Sequence, residues 1–204
     1  MIKLNVPFYR QSTDFTCDPA CLMMALKYFF PRTKFSQELE FDIWREAYGI
    51  GIPGCMPQGL AYSSLVRGLN ATLICKKEKI IEISEKIAQG ENKKIALFTS
   101  KKLFEKAKIN GMTIIDKTPD LTDIEKALVN NELPLVMINM KLLHKQDSPH
   151  WVVVLSIDKR NICINDPYSE NGKKRVVEKI KFLQMMDDLR KYSGIAPRIL
   201  LLKI

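Results

Sequence analysis

The chain has 204 residues, 46% hydrophobic and 27% charged, a balance that excludes wholesale disorder. It has no run of about 18 apolar residues to span a membrane, and no apolar stretch or cleavage site follows Lys3 to make a secretory signal. Basic residues number 32 against 23 acidic ones, a net charge of +9. The lysine doublets at 76–77, 93–94, 101–102 and 173–174 are scattered rather than gathered with aromatics, so they predict a solvated basic surface and not a nucleic-acid face.

An odd number of cysteines (17, 21, 55, 75 and 163), in a chain long enough to build a core unaided, points to a reduced, cytoplasmic setting and one domain over 1–204. A short extended piece near Leu4–Tyr9 comes first. Cys17 to about Phe30 reads as a buried helix, with Ala20, Cys21, Met24, Ala25, Tyr28 and Phe29 at three- and four-residue steps. Thr16 or Asp14 caps it, Pro19 sits in its first turn and Pro31 ends it. A second helix is expected over 36–48 with Ser36 as cap, followed by a glycine-proline loop over 49–59 and a helix over 60–69. Strands are expected at 71–76 and 112–115, and a helix at 121–130 capped by Asp120 or Thr122. The lysine-rich middle reads as two helices, around 81–88 and 103–108, with 95–99 ambiguous. Residues 135–140, 151–157, 162–165 and 198–204 are short apolar runs that read as strands. Helices first and antiparallel strands last predict an α+β architecture.

The histidines are His144 and His150, which narrows any search for a general base. His150 precedes the most apolar strand, and a turn near 158–160 leads into Asn165-Asp166-Pro167. A three-residue loop sets Ile157 opposite Asn161 and His150 opposite Tyr168, with Asp166 as the diagonal neighbour of His150 on one face. A two-residue loop instead sends the two side chains to opposite faces. Cys17 begins a helix, where unpaired N–H groups favour a thiolate and suit a developing oxyanion. Gln11 lies upstream as a side-chain amide donor. Cys17, His150, Asp166 and Gln11 thus fill the roles of nucleophile, base, orienting carboxylate and oxyanion donor of an acyl-transfer site.

Other residues take blander roles. Cys21 reads as core, and with Cys17 it lacks the further ligands a zinc site needs. Cys55 reads as a turn cysteine, His144 as exposed, and Trp151 as packing beside the base.

The segment from Val6 to Phe29, with Gln11 and Cys17-Asp18-Pro19-Ala20 in it, resembles the opening of the bacteriocin-processing peptidases that remove double-glycine leaders. It is closer still to their stand-alone bacterial relatives, the double-glycine-peptidase-like proteins. Trp44-Arg45-Glu46, Gly54-Cys55, Gly59-Leu60-Ala61, Pro149-His150-Trp151 and Asn165-Asp166-Pro167-Tyr168 follow in the same order. The resemblance implies a papain-like cysteine peptidase fold, N-terminal helices packed on a C-terminal antiparallel sheet. It also implies a peptide or protein substrate, no cofactor or metal, and the same four acting residues. Asp18 stands where the family usually has glycine, adding charge that opposes thiolate formation and bulk near the nucleophile. Two other readings stay open: a peptide-binding module that has lost its chemistry, and acyl transfer to an amine.

Overall fold

The computed structural model describes residues 3–52, 54–172 and 174–204. The first two residues, Pro53 of the glycine-proline loop and Lys173 of the last lysine doublet lie outside the described residues.

Helix α1 (Cys17–Phe29) is buried on all sides from Cys17 to Leu26, which its unbroken small and apolar sequence permits. Helix α2 (Gln37–Ala47) starts at Ser36, whose hydroxyl accepts the Leu39 N–H (3.1 Å). Helix α3 (Pro57–Leu65) begins and ends a few residues earlier than the sequence suggests, with Pro57 in the first turn where no N–H is needed. Gly59 in α3 lies against α2, and a Cβ there would sit 2.7 Å from the Ala47 backbone. Glycine is what lets these two helices touch.

Strand β1 (Asn70–Cys75) leads into the lysine-rich middle, where the expectation of two helices fails. Residues 81–88 are irregular: Ser84 closes a local turn by accepting the Lys86 N–H, in competition with a helix, while Ile80, Ile83 and Ala88 anchor the segment. The ambiguous stretch joins 103–108 in one helix, α4 (Gly90–Ile109), because Ala96, Ser100, Leu103 and Ala107 form one buried stripe at helical spacing. Strand β2 (Thr113–Asp116) follows. Helix α5 (Leu121–Val129) opens on a capping box between Asp120 and Asp123, so Asp120 rather than Thr122 is the cap.

Strand β3 (Leu133–Asn139), a short helical turn α6 (Lys141–His144), β4 (Pro149–Ile157) and β5 (Asn161–Asn165) come next. No element is expected between Tyr168 and the last strand, yet β6 (Arg175–Glu178) and α7 (Lys179–Asp188) lie there. Strand β7 (Ile199–Lys203) runs back through the middle of the molecule.

All seven strands join one sheet in the order β2-β1-β7-β3-β4-β5-β6, antiparallel except for the parallel β1–β2 pair. The α+β class holds, although the sheet also recruits β1 and β2 from the middle of the chain. Helix α1 packs on β4 while α5 and α7 pack on β3, and β3 is buried along its whole length.

The β4–β5 hairpin departs from the expected register and then recovers it. Ile157 pairs with Ile162, one residue later than anticipated, because Asp158 Oδ1 accepts the N–H groups of Arg160 and Asn161 in the turn. A bulge at Leu155 then absorbs one residue, so Val154 meets Ile164 and Val153 meets Asn165. Continued outward, that pairing puts His150 and Asp166 on one face, as the three-residue loop would have done. The Leu155 carbonyl accepts the Leu4 N–H (2.8 Å), which docks the N-terminal segment beside the bulge.

Candidate active site

Cys17 is the first residue of α1, and Thr16 precedes it with its hydroxyl turned back to Thr13 instead of capping the helix. The helix thus presents its opening N–H groups next to the sulfur. Cys17 is 7% exposed and lines a cavity of about 140 Å³. Phe15, Asp18, Cys55, Pro149 and Trp151 share that wall. Strand β4 therefore runs along one side of the cleft and the start of α1 along the other.

His150 Nε2 lies 2.8 Å from Asp166 Oδ1. His144 Nε2 lies 2.7 Å from Asp166 Oδ2, with Arg175 Nε 3.6 Å from the same oxygen and the Tyr168 N–H donating to Oδ1 (3.1 Å). Burial alone would raise the Asp166 pKa, but the hydrogen bonds and charges of His150 and His144 outweigh it and hold the carboxyl well below the usual range. An ionised carboxylate only accepts, so both imidazoles present Nε2–H to it and keep Nδ1 for another partner.

His144 overturns its expected exposure. Its side chain is 10% exposed, and its ring packs edge-on to Tyr168 at 4.8 Å between centroids. The α6 turn swings it back over the hairpin end, a fold-level event that local sequence does not reveal. Its rarity as one of two histidines was the available signal.

The Cys17 thiol is not depressed, as its place at a helix start would suggest. Burial pushes its pKa up, and Asp18 adds to this through its charge and as acceptor of the S–H, at 3.1 Å from Sγ to Oδ1; a Trp151 backbone hydrogen bond pulls weakly the other way. Among the described residues, the thiol's side-chain partner is therefore Asp18 and not His150. Asp18 Oδ2 also accepts the Cys55 N–H (2.8 Å), tying the neighbour of Cys17 to the glycine-proline loop. Burial raises the Asp18 pKa as well, against the hydrogen bonds from Cys17 and Cys55. Cys55 is thus a wall residue of the cleft and more than a turn cysteine. Cys21 is core, fully buried with Sγ 3.4 Å from the Trp151 carbonyl.

Gln11 is buried, and its backbone N–H bonds the Pro167 carbonyl (3.0 Å), one residue beyond Asp166. Its Nε2 donates to the Thr13 carbonyl (2.7 Å), and its Oε1 has no partner among the described residues. It lines a neighbouring cavity with Tyr9, Ser12 and Tyr168 and does not line the Cys17 cleft. Glu40, fully buried in α2, fixes this segment by accepting from Tyr9 Oη (2.9 Å), the Ser12 N–H (2.9 Å) and Ser12 Oγ (2.6 Å).

The model of the Peptidase_C39 like family matches residues 6–193. The chain belongs to that family. No curated protein matches it. Among solved structures it is similar to a double glycine motif protease from an AMS/PCAT transporter, crystallised in complex with the leader peptide. The TM-score is 0.51 at 14% identity, over 98% of this chain and 93% of that one. It is also similar to the peptidase domain of Streptococcus ComA, a bi-functional ABC transporter of a quorum sensing pathway, with TM-score 0.54 at 13% identity, over 97% of this chain and 98% of that one. At such identities the likeness is one of fold, and it matches the papain-like expectation. Within this Peptidase_C39 like chain no helix among the described residues is long and apolar enough to cross a membrane.

Proposed function

We propose that this chain is a cysteine peptidase, acting as one unit over its length, that hydrolyses a peptide or related amide bond through a thioester. The observation that carries the reading is the His150–Asp166 hydrogen bond on β4, next to Pro149 and Trp151, which line the same cleft as Cys17 at the start of α1. In this scheme substrate entry turns the thiol from Asp18 toward His150 Nδ1, which takes the proton. The sulfur attacks the carbonyl carbon, and the Cys17 N–H meets the oxyanion. Gln11 lines the neighbouring cavity at rest and reaches the oxyanion as second donor only if its amide, which keeps one N–H after the bond to Thr13, turns toward the sulfur as substrate enters. His150 returns the proton to the leaving amine, and water activated by the same ring clears the thioester. Asp166 fixes the tautomer throughout, and His144 steadies Asp166 from its other oxygen.

The double glycine motif protease bound to its leader peptide supports a peptide as the ligand of this cleft. A peptide-binding module without chemistry is the second reading, favoured by one observation: the buried thiol is bonded to Asp18 and not to His150, and burial first, with Asp18 beside it, pushes its pKa up. Digests of peptide mixtures by wild type and Cys17→Ala, compared by mass spectrometry, decide between them. Cleavage products present only with wild type are expected; identical digests, with peptide still bound by both proteins, would establish the module. An iodoacetamide-type probe is expected to label wild type and Cys21→Ala at residue 17 and to miss Cys17→Ala. Equal labelling of the two variants would count against Cys17 as the reactive thiol.

A further inference from the structure

The cleft that begins at Cys17 reaches as far as Arg198, just before β7. Ile83, Ile87, Met137 and Ile195 line much of the way, so an arginine is out of character there. Arg198 is 7% exposed. Among the described residues its one hydrogen bond runs from Nη2 to the Lys79 carbonyl (2.5 Å), while Nε has no partner. No described carboxylate comes within 4.0 Å of it. Glu82, on the same wall, is turned to Lys79 Nζ (2.6 Å). Burial lowers the guanidinium's pKa, with Cys75 and Glu82 opposing only as charges.

Charged groups are rarely left buried without a partner, and the planar guanidinium fork matches a carboxylate through two parallel hydrogen bonds. Tethering the Lys79 carbonyl uses one of five N–H donors and leaves Nε idle. Asp14, Asp18 and Glu82, the acidic side chains on the wall, repel an anion, and among the described lining residues Arg198 is the one cationic side chain that attracts it. We infer that Arg198 is a carboxylate-binding subsite, so that a peptide lying across Cys17 offers it an acidic side chain or a free C-terminal carboxylate. This deepens the peptidase reading and rests on it for the peptide, though not for the anion.

The test uses Cys17→Ala protein, in which no chemistry interferes, and four probes: N-acetyl-Leu-Leu as free acid and as amide, and N-acetyl-Leu-Glu-amide and N-acetyl-Leu-Gln-amide. Binding is followed by NMR on the arginine Nε–H signals, with that of Arg198 assigned by its loss in Arg198→Lys. One carboxylate probe is expected to bind about ten- to hundredfold tighter than its neutral twin and to move the Arg198 signal. Which of the two does so identifies the source, chain end or side chain. Arg198→Met is expected to abolish the preference. Equal affinities within both pairs, no binding by any probe, or a preference that leaves the Arg198 signal still would overturn the inference. The four-probe comparison stands even if Arg198→Met does not fold. Discrimination by a protein whose wild type cleaves nothing sinks the peptidase reading alone; cleavage without discrimination sinks this inference alone.

Discussion

At the residue scale, Asp18 adds to burial in setting how the Cys17 thiol rests. Asp18→Asn removes its charge yet keeps an oxygen for the Cys55 N–H, so it isolates the electrostatic part. Expected is faster iodoacetamide alkylation of Cys17 near neutral pH, with the inflection of rate against pH moved down by about one unit or more. An unchanged inflection would mean that burial alone keeps the thiol neutral. Asp166→Asn keeps one acceptor oxygen but presents an NH₂ donor to the other ring, so it no longer fixes both tautomers. A fall in peptide cleavage on the order of a thousandfold is expected, measured as kcat/KM. His144→Asn is expected to cost less and to move the acid limb of the pH–rate profile, because Arg175 at 3.6 Å is then the remaining side chain on Asp166 Oδ2.

At the element scale, the α2–α3 contact tests how tightly the helical layer is built. Gly59→Ala forces a Cβ into the Ala47 backbone, which offers no flexible atom to yield. A loss of about 1–3 kcal/mol is expected in urea denaturation. The sequence announced α1, α2 and α5 well, because caps at Ser36 and Asp120 and a proline in the first turn of α1 are local devices. It was silent on β6 and α7, whose single buried strand residue Val177 and short apolar stripe mean little until β5 is in place. It split α4 because lysine doublets mask a stripe made mostly of small residues. Of the candidate site, the place of Cys17 at a helix start and the pairing of His150 with Asp166 are legible from position along helix and hairpin. The link of His144 to Asp166 and the grip of Asp18 on both cysteines are contacts across the fold and leave no local trace.

At the scale of the whole molecule, the two buried carboxyls pull stability in opposite directions with pH. Asp166 is held below its unfolded value, so its contribution is complete above about pH 4 and is lost as pH falls through the folded pKa. Asp18 is raised, so it costs stability as pH climbs from about 4 through its folded pKa. Urea denaturation between pH 3 and 7 is expected to show Asp166→Asn losing the acid-side slope and Asp18→Asn gaining relative stability toward neutrality. Parallel curves for both variants and wild type would contradict these assignments. The Leu155 bulge sets a rule of another kind. His150 and Asp166 lie sixteen positions apart, an even count, whereas Ile157 and Ile162 close the hairpin over an odd one. Parity is restored by a single extra residue, so any relative that lengthens or shortens this turn by one must shed or acquire a bulge to keep its histidine and carboxylate together.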